Sequence, residues 1–592
     1  MHKDYASLEK PFLHLAHVLG FEIVESEEWS IECRRNDGWA LCLEGERYNR
    51  SLFSMIVKKY GDETNQAVEE YAVFLLMNVW AKLNEVPAPV VSFSNQVSFL
   101  IEQQDFVFGS SEKYRAAYQE ENAIPYEPLW TSAEIAKAVG SAARGDWYVT
   151  RVTSDSRAIK CGDLFVALKG EHFDGHDFVA EALELGAIGA IVSHEPAGCS
   201  DDPQLILVGD TLTALQQLGK AGRERSAAKV VGVTGSVGKT SCKEALAIAF
   251  GAQAKTYASV GNLNNHIGLP LMLANLPRDI EVAVIEMGMN HAGEIELLSN
   301  LAQPDVAIIT SVEAVHIEFF DNGIEGIADA KSEIAIGLRP GGTLVLPADN
   351  PHIERLKKNA AQHKVAKLLT FGASPSAEYR LLDYRALPVG SQAHIQTPKG
   401  RIDVRLGAVG KHWGLMAAGI LALVDALGYD TGVAAEALAG FSEPAGRGKV
   451  LEAQLPGGRH VLVLDDSYNA SPASMRAAFA RLEEIWQARG GRGRKLAALG
   501  DMRELGQHAP DMHRGLAPEI EGLSLQLYAA GEHMRLLFDA IPKTSRGAWC
   551  EEAGALSAAL LPQLKDGDIL LVKGSRGSRM DKVVAAVLDA KQ

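Results

Sequence analysis

Cysteine is scarce in this chain. The six residues at 33, 42, 161, 199, 242 and 550 show no metal-type spacing and are too thinly spread for a disulfide framework. They read as reduced thiols of a cytoplasmic protein. No run of 18 apolar residues occurs, and Met1-His-Lys-Asp-Tyr leads into no signal core, so a soluble chain without membrane insertion is expected. Excess positive charge is also missing. A net charge of −17 argues against nucleic acid or an anionic membrane as partner, while leaving room for a local basic pocket that holds a small anion. Short-period repeats and low-complexity tracts are absent, so solenoids and disordered arrays are excluded.

What remains is a globular composition, 47% apolar and 22% charged, long enough for three or four domains. A first segment, 1–125, is expected to form a small α+β unit. Trp29 to Cys42 reads as a hairpin around Asn36-Asp37-Gly38, and residues 66–84 read as a largely buried helix. This segment holds no catalytic constellation and is expected to be a partner-binding or regulatory module. The prolines in Ile124-Pro125-Tyr126-Glu127-Pro128 mark a linker. A compact α/β pattern follows over 129–226, with a helix at 179–186 and a strand at 187–192. The segment 227–443 alternates strands (282–285, 306–310, 343–347) with helices, the pattern of a mostly parallel sheet with ligands at the strands' carboxyl ends. Pro444-Ala-Gly-Arg-Gly448 punctuates the next boundary. Strands at 460–465, 495–499, 525–529 and 568–572 then predict a second doubly wound domain over 444–592.

The most informative stretch is Lys229-Val-Val-Gly-Val-Thr234-Gly235-Ser236-Val237-Gly238-Lys239-Thr240-Ser241. A β-branched strand, a glycine loop and a helix start in that order set backbone N–H groups around a polyphosphate. Lys239 is placed to neutralise β/γ oxygens and the Thr240 hydroxyl to hold Mg²⁺. Val233 stands where the strict phosphate-loop pattern has its first glycine. Glu286 ends an apolar strand, where a carboxylate would complete the oxygen shell of that ion; the lesser alternative, taken alone, is a solvated strand-end residue. His316 follows the strand 306–310, and Ala330-Lys331-Ser-Glu333 is read as opening a helix after the loop 321–326. Gly446-Arg447-Gly448 reads as a flexible basic hinge able to reach a phosphate. In Asp465-Asp466-Ser-Tyr468-Asn469-Ala-Ser-Pro472, an aspartate is suited to a ribose hydroxyl or to a turn. Lys573-Gly-Ser-Arg576 offers two cations to a carboxylate.

In this order the motifs resemble the Mur ligase family from about Leu129 onward. The resemblance rests on Thr153-Ser-Asp-Ser156-Arg157, Gly162-Asp-Leu-Phe-Val-Ala-Leu168, the phosphate loop, Gly261-Asn-Leu-Asn264-Asn265-His-Ile-Gly-Leu-Pro270 and Glu286-Met-Gly-Met-Asn-His-Ala-Gly-Glu-Ile295. Ala330-Lys-Ser-Glu-Ile334, the Asp465 motif, Leu499-Gly-Asp-Met-Arg-Glu-Leu-Gly506 and Val572-Lys-Gly-Ser-Arg576 complete it. It implies an α/β fold of three domains: a UDP-substrate-binding domain, a central phosphate-loop ATP-binding domain and a Rossmann-like ligase domain. It implies an ATP-dependent amide ligase joining D-alanyl-D-alanine to a UDP-N-acetylmuramoyl tripeptide through an acyl phosphate, most simply as a monomer. A relative acting on another carboxylate and amine, or a non-catalytic regulatory homologue, are the competing readings.

Residue by residue, the resemblance makes Ser156 and Arg157 uridine-diphosphate contacts. Lys239, Thr240, Glu286 and His316 become the phosphate and metal set, with two Mg²⁺ ions. Lys331 becomes a carbamylated lysine that ligates the second ion, Arg447 a γ-phosphate contact and Asp466 a ribose contact. Asn264 and Asn265 fall in the substrate loop, and Tyr468, Asn469, Lys573 and Arg576 on the substrate side of the last domain. His316 is suited either to orienting the metal or to assisting proton removal. The family pattern Gly-x-His-Asn, with a second Asn three residues on, is replaced by Gly410-Lys-His412-Trp413-Gly-Leu-Met416. Trp413 is read as stacking on the base or as packing. His266 stands where Glu is usual.

Overall fold

The computed structural model describes residues 128–590 apart from 161, 171, 172, 200, 260, 262, 316 and 388. Before these it describes 12, 15, 16, 18, 19, 21–26, 30–35, 39–45, 53–60, 67–72, 99, 100, 103 and 105–109. The chain divides into two units, Met1–Pro128 and Leu129–Gln592.

In the first unit, strands Glu22–Ser26, Ser30–Arg34, Trp39–Gly45, Phe53–Tyr60 and Ala67–Ala72 pair antiparallel in sequence order. The expected hairpin is there, with Arg34 opposite Ala40; its turn residues lie outside the described set. The expected helix over 66–84 is corrected over its first turns. Residues 67–72 form the edge strand against Phe53–Tyr60, so pairing with a neighbour outweighs the local apolar run. The rest of 66–84 lies outside the described residues.

The second unit carries three main sheets. Arg151–Thr153, Asp163–Val166, Gly189–Val192 and Leu205–Leu207 form a four-stranded parallel sheet. The central sheet has nine strands, and its middle order is Thr256–Ala258, Val282–Glu286, Lys229–Thr234, Val306–Ile309, Thr343–Pro347 and Lys367–Gly372, all parallel. An antiparallel meander over 379–406 closes one edge. The third sheet has six strands, parallel except where Lys449–Leu455 pairs with Arg459–Asp466.

Strand residues of the central sheet alternate between two cores. Val231, Val233, Val284 and Ile308 pack with helices Lys239–Gly251 and Lys411–Ala426. Val230, Ala283, Ile285 and Ile309 pack on the other face with Leu273, Leu298 and Ile327. A strand buried on both faces must be apolar throughout, which explains the unbroken Val-Ala-Val-Ile before Glu286. Each of the Val, Leu and Ile side chains contributes about 1.5–3 kcal/mol on burial. Successive crossovers leave Lys229–Thr234 in opposite directions, so its carboxyl end is the point where strand order reverses. A crevice opens there.

Candidate active site

That crevice holds a cavity of about 720 Å³ whose walls come from both the central and the last sheet domains. One wall is the loop after Lys229–Thr234. Gly235 has φ +150°, and a Cβ there would lie 2.0 Å from Thr310 Oγ1, so only glycine fits. Thr234 Oγ1 donates to Met287 O (2.9 Å), Ser236 N to Ser311 O (2.9 Å), and Val237 N to Ser311 Oγ (3.0 Å). The loop is thus pinned to both neighbouring strands. Helix Lys239–Gly251 is capped by Gly238 at φ +86°, with no side-chain cap. Its first-turn N–H groups have no intrahelical acceptor and stay open to an anion.

Lys239, Thr240, Ser241, Asn264 and Glu286 all line this cavity. Lys239 Nζ donates to Gly235 O (2.7 Å); burial and Arg447 lower its pKa, and Glu286 opposes them. Glu286 Oε1 accepts from Asn264 Nδ2 (2.7 Å), while its Oε2 is buried without a hydrogen-bond partner. An unpaired buried carboxylate oxygen costs free energy until a donor or cation reaches it. Beside the Thr240 hydroxyl it fits a hard divalent ion that takes one carboxylate, one hydroxyl and phosphate oxygens. Among the described residues no three His, Cys, Asp or Glu side chains gather to hold a metal unaided.

Lys331 is 3% exposed, and its pKa is well below the ordinary lysine value, through burial first and then the Lys239 charge. Its place in the helix needs correction. The helix is Gly323–Ser332, so Lys331 lies in its last turn, not its first. The glycines at 323 and 326 suggested a loop, but the helix runs through them. His316 lies outside the described residues.

The opposite wall is set by Asp465. Its Oδ2 accepts from Gly446 N (2.8 Å), its Oδ1 from Ser467 Oγ (2.6 Å), and its carbonyl from Gly448 N (2.7 Å). The segment read as a flexible hinge is therefore pinned, and the Arg447 guanidinium rests 4.0 Å from the Tyr468 ring centre. Arg576 approaches the same ring at 5.9 Å but does not line the cavity. Lys573 is not free for a carboxylate: its ammonium donates to Asp466 Oδ2 (2.7 Å) and Asn469 O (2.9 Å). Asp466, Tyr468, Asn469 and Lys573 all reach the cavity.

Trp413 packs. It is 4% exposed, lies 4.6 Å from Phe441 and donates Nε1–H to Glu443 Oε1 (3.0 Å). The neighbouring His412 is exposed within the cavity, and desolvation by its walls with the charges of Arg481 and Lys573 pushes its pKa down to about 3. Asn265 caps the turn before helix Gly268–Ala274 through Gly268 N (2.9 Å) and does not line the cavity. Ser156 and Arg157 also lie outside it. Arg157 makes a two-point contact with Asp155 (2.8 and 2.9 Å) on the four-stranded sheet's edge. Lining residues missed from the sequence include Asp349, Asn350 and Arg481, besides Glu313 and Glu504. The first two follow a strand end at the same sheet edge, a readable signal. Arg481 sits mid-helix and gave none.

With this geometry in place, three sequence matches fall on the second unit: the Mur ligase family catalytic domain over residues 148–221, the Mur ligase middle domain over 233–422 and the Mur ligase glutamate ligase domain over 446–576. The chain belongs to the Mur ligase family. It is 33% identical over 459 residues to the UDP-N-acetylmuramoyl-tripeptide–D-alanyl-D-alanine ligase of Rickettsia prowazekii, covering 77% of this chain and 99% of the relative. A crystal structure of MurF from Acinetobacter baumannii superposes with a TM-score of 0.70 at 31% identity, over 79% of this chain and all of that one. MurF ligase from Thermotoga maritima, solved in complex with ADP, gives a TM-score of 0.64 at 29% identity, over 74% of this chain and 97% of that one.

Proposed function

We propose that this chain joins D-alanyl-D-alanine to the terminal carboxylate of a UDP-N-acetylmuramoyl tripeptide, with ATP as the energy source, in the cytoplasm. The observation that carries this reading is the convergence on one cavity of an uncapped helix start, Lys239, the unpaired Glu286 oxygen and Arg447 from the facing domain. The similarity to ligases of that name over nearly their whole length supplies the substrates.

A carboxylate is a poor electrophile and must first be activated. ATP lies with its phosphates on the N–H groups of residues 235–241, Lys239 against the β/γ oxygens and Arg447 at the γ-phosphate. Asp466 takes the ribose and holds Lys573 in place. The tripeptide carboxylate, presented past Asn264, attacks the γ-phosphorus in line to give an acyl phosphate, and charge neutralisation by these fixed groups supplies most of the acceleration. Glu286 and Thr240 would hold one magnesium ion. Lys331, where burial and the Lys239 charge favour the neutral amine, is suited to carbamylation and would hold a second. When bound, the ions spread the charge that develops on the transferred phosphoryl group. Ser156 and Arg157 hold the uridine diphosphate on the four-stranded domain.

The test is phosphate release with ATP, UDP-N-acetylmuramoyl tripeptide and D-alanyl-D-alanine, each omitted in turn. Release is expected only with all three. Equal release from a different acceptor or amine would replace the substrate assignment.

A further inference from the structure

A second cavity of about 460 Å³ adjoins the first, and Glu313 lines both. Its floor is short and apolar, from Ala314 and Ile324 on the central domain and Pro472, Ala473 and Met512 on the last one. None of the residues given a catalytic, metal or binding role from the sequence lies in it. Arg476 and His508 both belong to the last domain, and Pro472 and Ala473 open the 17-residue helix Pro472–Ala488, whose amino end favours negative charge; with proline first and Ser474 N–H capped by Ser471 Oγ (3.3 Å), Ala473 supplies the N–H left at that end. Arg476 is steadied by Glu519 Oε1 (2.5 Å) and keeps further N–H donors for a ligand. Asp511 is turned to solvent, 92% exposed and paired with Arg514 at 3.3 Å. Glu313 thus supplies the anion at the edge shared with the phosphate cavity. The chain around Glu313 is built into the phosphate loop: its N–H donates to Ser236 Oγ (2.9 Å), and that hydroxyl donates to Glu313 O (3.1 Å).

We infer that this cavity admits the amine substrate, a short zwitterionic peptide with small side chains. Arg476 and the Ala473 N–H hold its carboxylate, and Glu313 receives its ammonium and takes the proton that blocks attack. The inference rests on the ligase reading above and adds the binding site and the base. Glu313 carboxylate accepts one proton from the ammonium. The freed amine attacks the acyl-phosphate carbonyl carbon, a C–N bond forms, the C–O bond to phosphate breaks, and the second nitrogen proton leaves with the phosphate. Burial raises the Glu313 pKa against the pull of His352 and Arg476, which makes it a better base than a solvated carboxylate.

The experiment compares nucleophiles on the full-length enzyme supplied with ATP and UDP-N-acetylmuramoyl tripeptide. D-Alanyl-D-alaninamide, which lacks the carboxylate, is expected to show at least a tenfold lower kcat/KM than D-alanyl-D-alanine, and Arg476→Met to shrink that difference to within twofold. Hydroxylamine reaches the acyl phosphate already unprotonated near neutral pH. Glu313→Gln is therefore expected to slow dipeptide ligation about 100-fold relative to hydroxamate formation. Equal losses with both nucleophiles, or an unmodified enzyme indifferent to the missing carboxylate, would overturn the inference. An unmodified enzyme that forms no hydroxamate would instead sink the ligase reading.

Discussion

Lys331 is a lysine whose surroundings oppose its own charge. Burial and the Lys239 ammonium both favour the neutral amine, and only Glu333 pulls the other way. Replacing it by methionine removes a desolvation cost while keeping the length of the side chain, so Lys331→Met is expected to raise the melting temperature while reducing ligation more than 100-fold. Calorimetry and phosphate release on the same preparation check both halves. His412 carries a second residue-scale consequence. Its pKa is depressed to about 3, so between pH 6.5 and about 3 the unfolded chain binds a proton that the folded chain refuses. Stability therefore falls as pH drops through that window, by less than the roughly 1.4 kcal/mol per pH unit of a fully buried group, because the His412 residue is exposed and solvent screens its charge. His412→Gln is expected to flatten that acid limb in urea titrations at pH 4, 5 and 6. The sequence named Lys331 through its motif, but its burial beside Lys239 joins residues 92 positions apart along the chain. No periodicity reports such a contact.

At the scale of elements, the strand ends were legible because each is an apolar run followed by polar or glycine residues. Val282–Glu286, Thr343–Pro347 and Ile569–Lys573 fall within a residue of their expected places. Their side chains could thereby be assigned to one sheet edge. What could not be read was how the loops between them are held. Arg447 seemed to ride on a loose glycine pair, yet Asp465, a neighbour of the residue chosen for the ribose, fixes that turn from three sides. Likewise Lys573 and Asp466 each looked available until the fold brought them together. Two variants test the loops. Gly235→Ala places a methyl 2.0 Å from Thr310 Oγ1 at a φ that side chains rarely adopt, and is expected to abolish measurable ADP binding by calorimetry. Asp465→Ala strands the Gly446 N–H and the Ser467 hydroxyl, at a cost of about 1–3 kcal/mol. It is expected to raise the KM for ATP at least tenfold with a smaller effect on the KM for the UDP substrate.

The whole molecule poses a question of parts. Three relatives that share the ligase name are matched over 93–99% of their own length and over 74–77% of this chain. The second unit, Leu129–Gln592, contains all three family matches and every residue of both cavities. Its first residues are tied into its own core. Trp130 Nε1 donates to Ala274 O (2.7 Å), and the Arg225 guanidinium stacks 3.6 Å from the Trp130 ring centre. Met1–Pro128 brings its own antiparallel sheet, with Trp39, Leu41 and Val57 buried. A chain starting at Pro128 is therefore expected to fold and to ligate with kcat/KM within threefold of the full protein, in the three-substrate phosphate-release assay. A start at Ile135 removes Trp130 and its stacking partner's contact, and is expected to lower the melting temperature by several degrees. If the chain from Pro128 loses activity while melting normally, the leading unit takes part in catalysis. The partner-binding role expected from its sequence would then give way to one within the ligation itself.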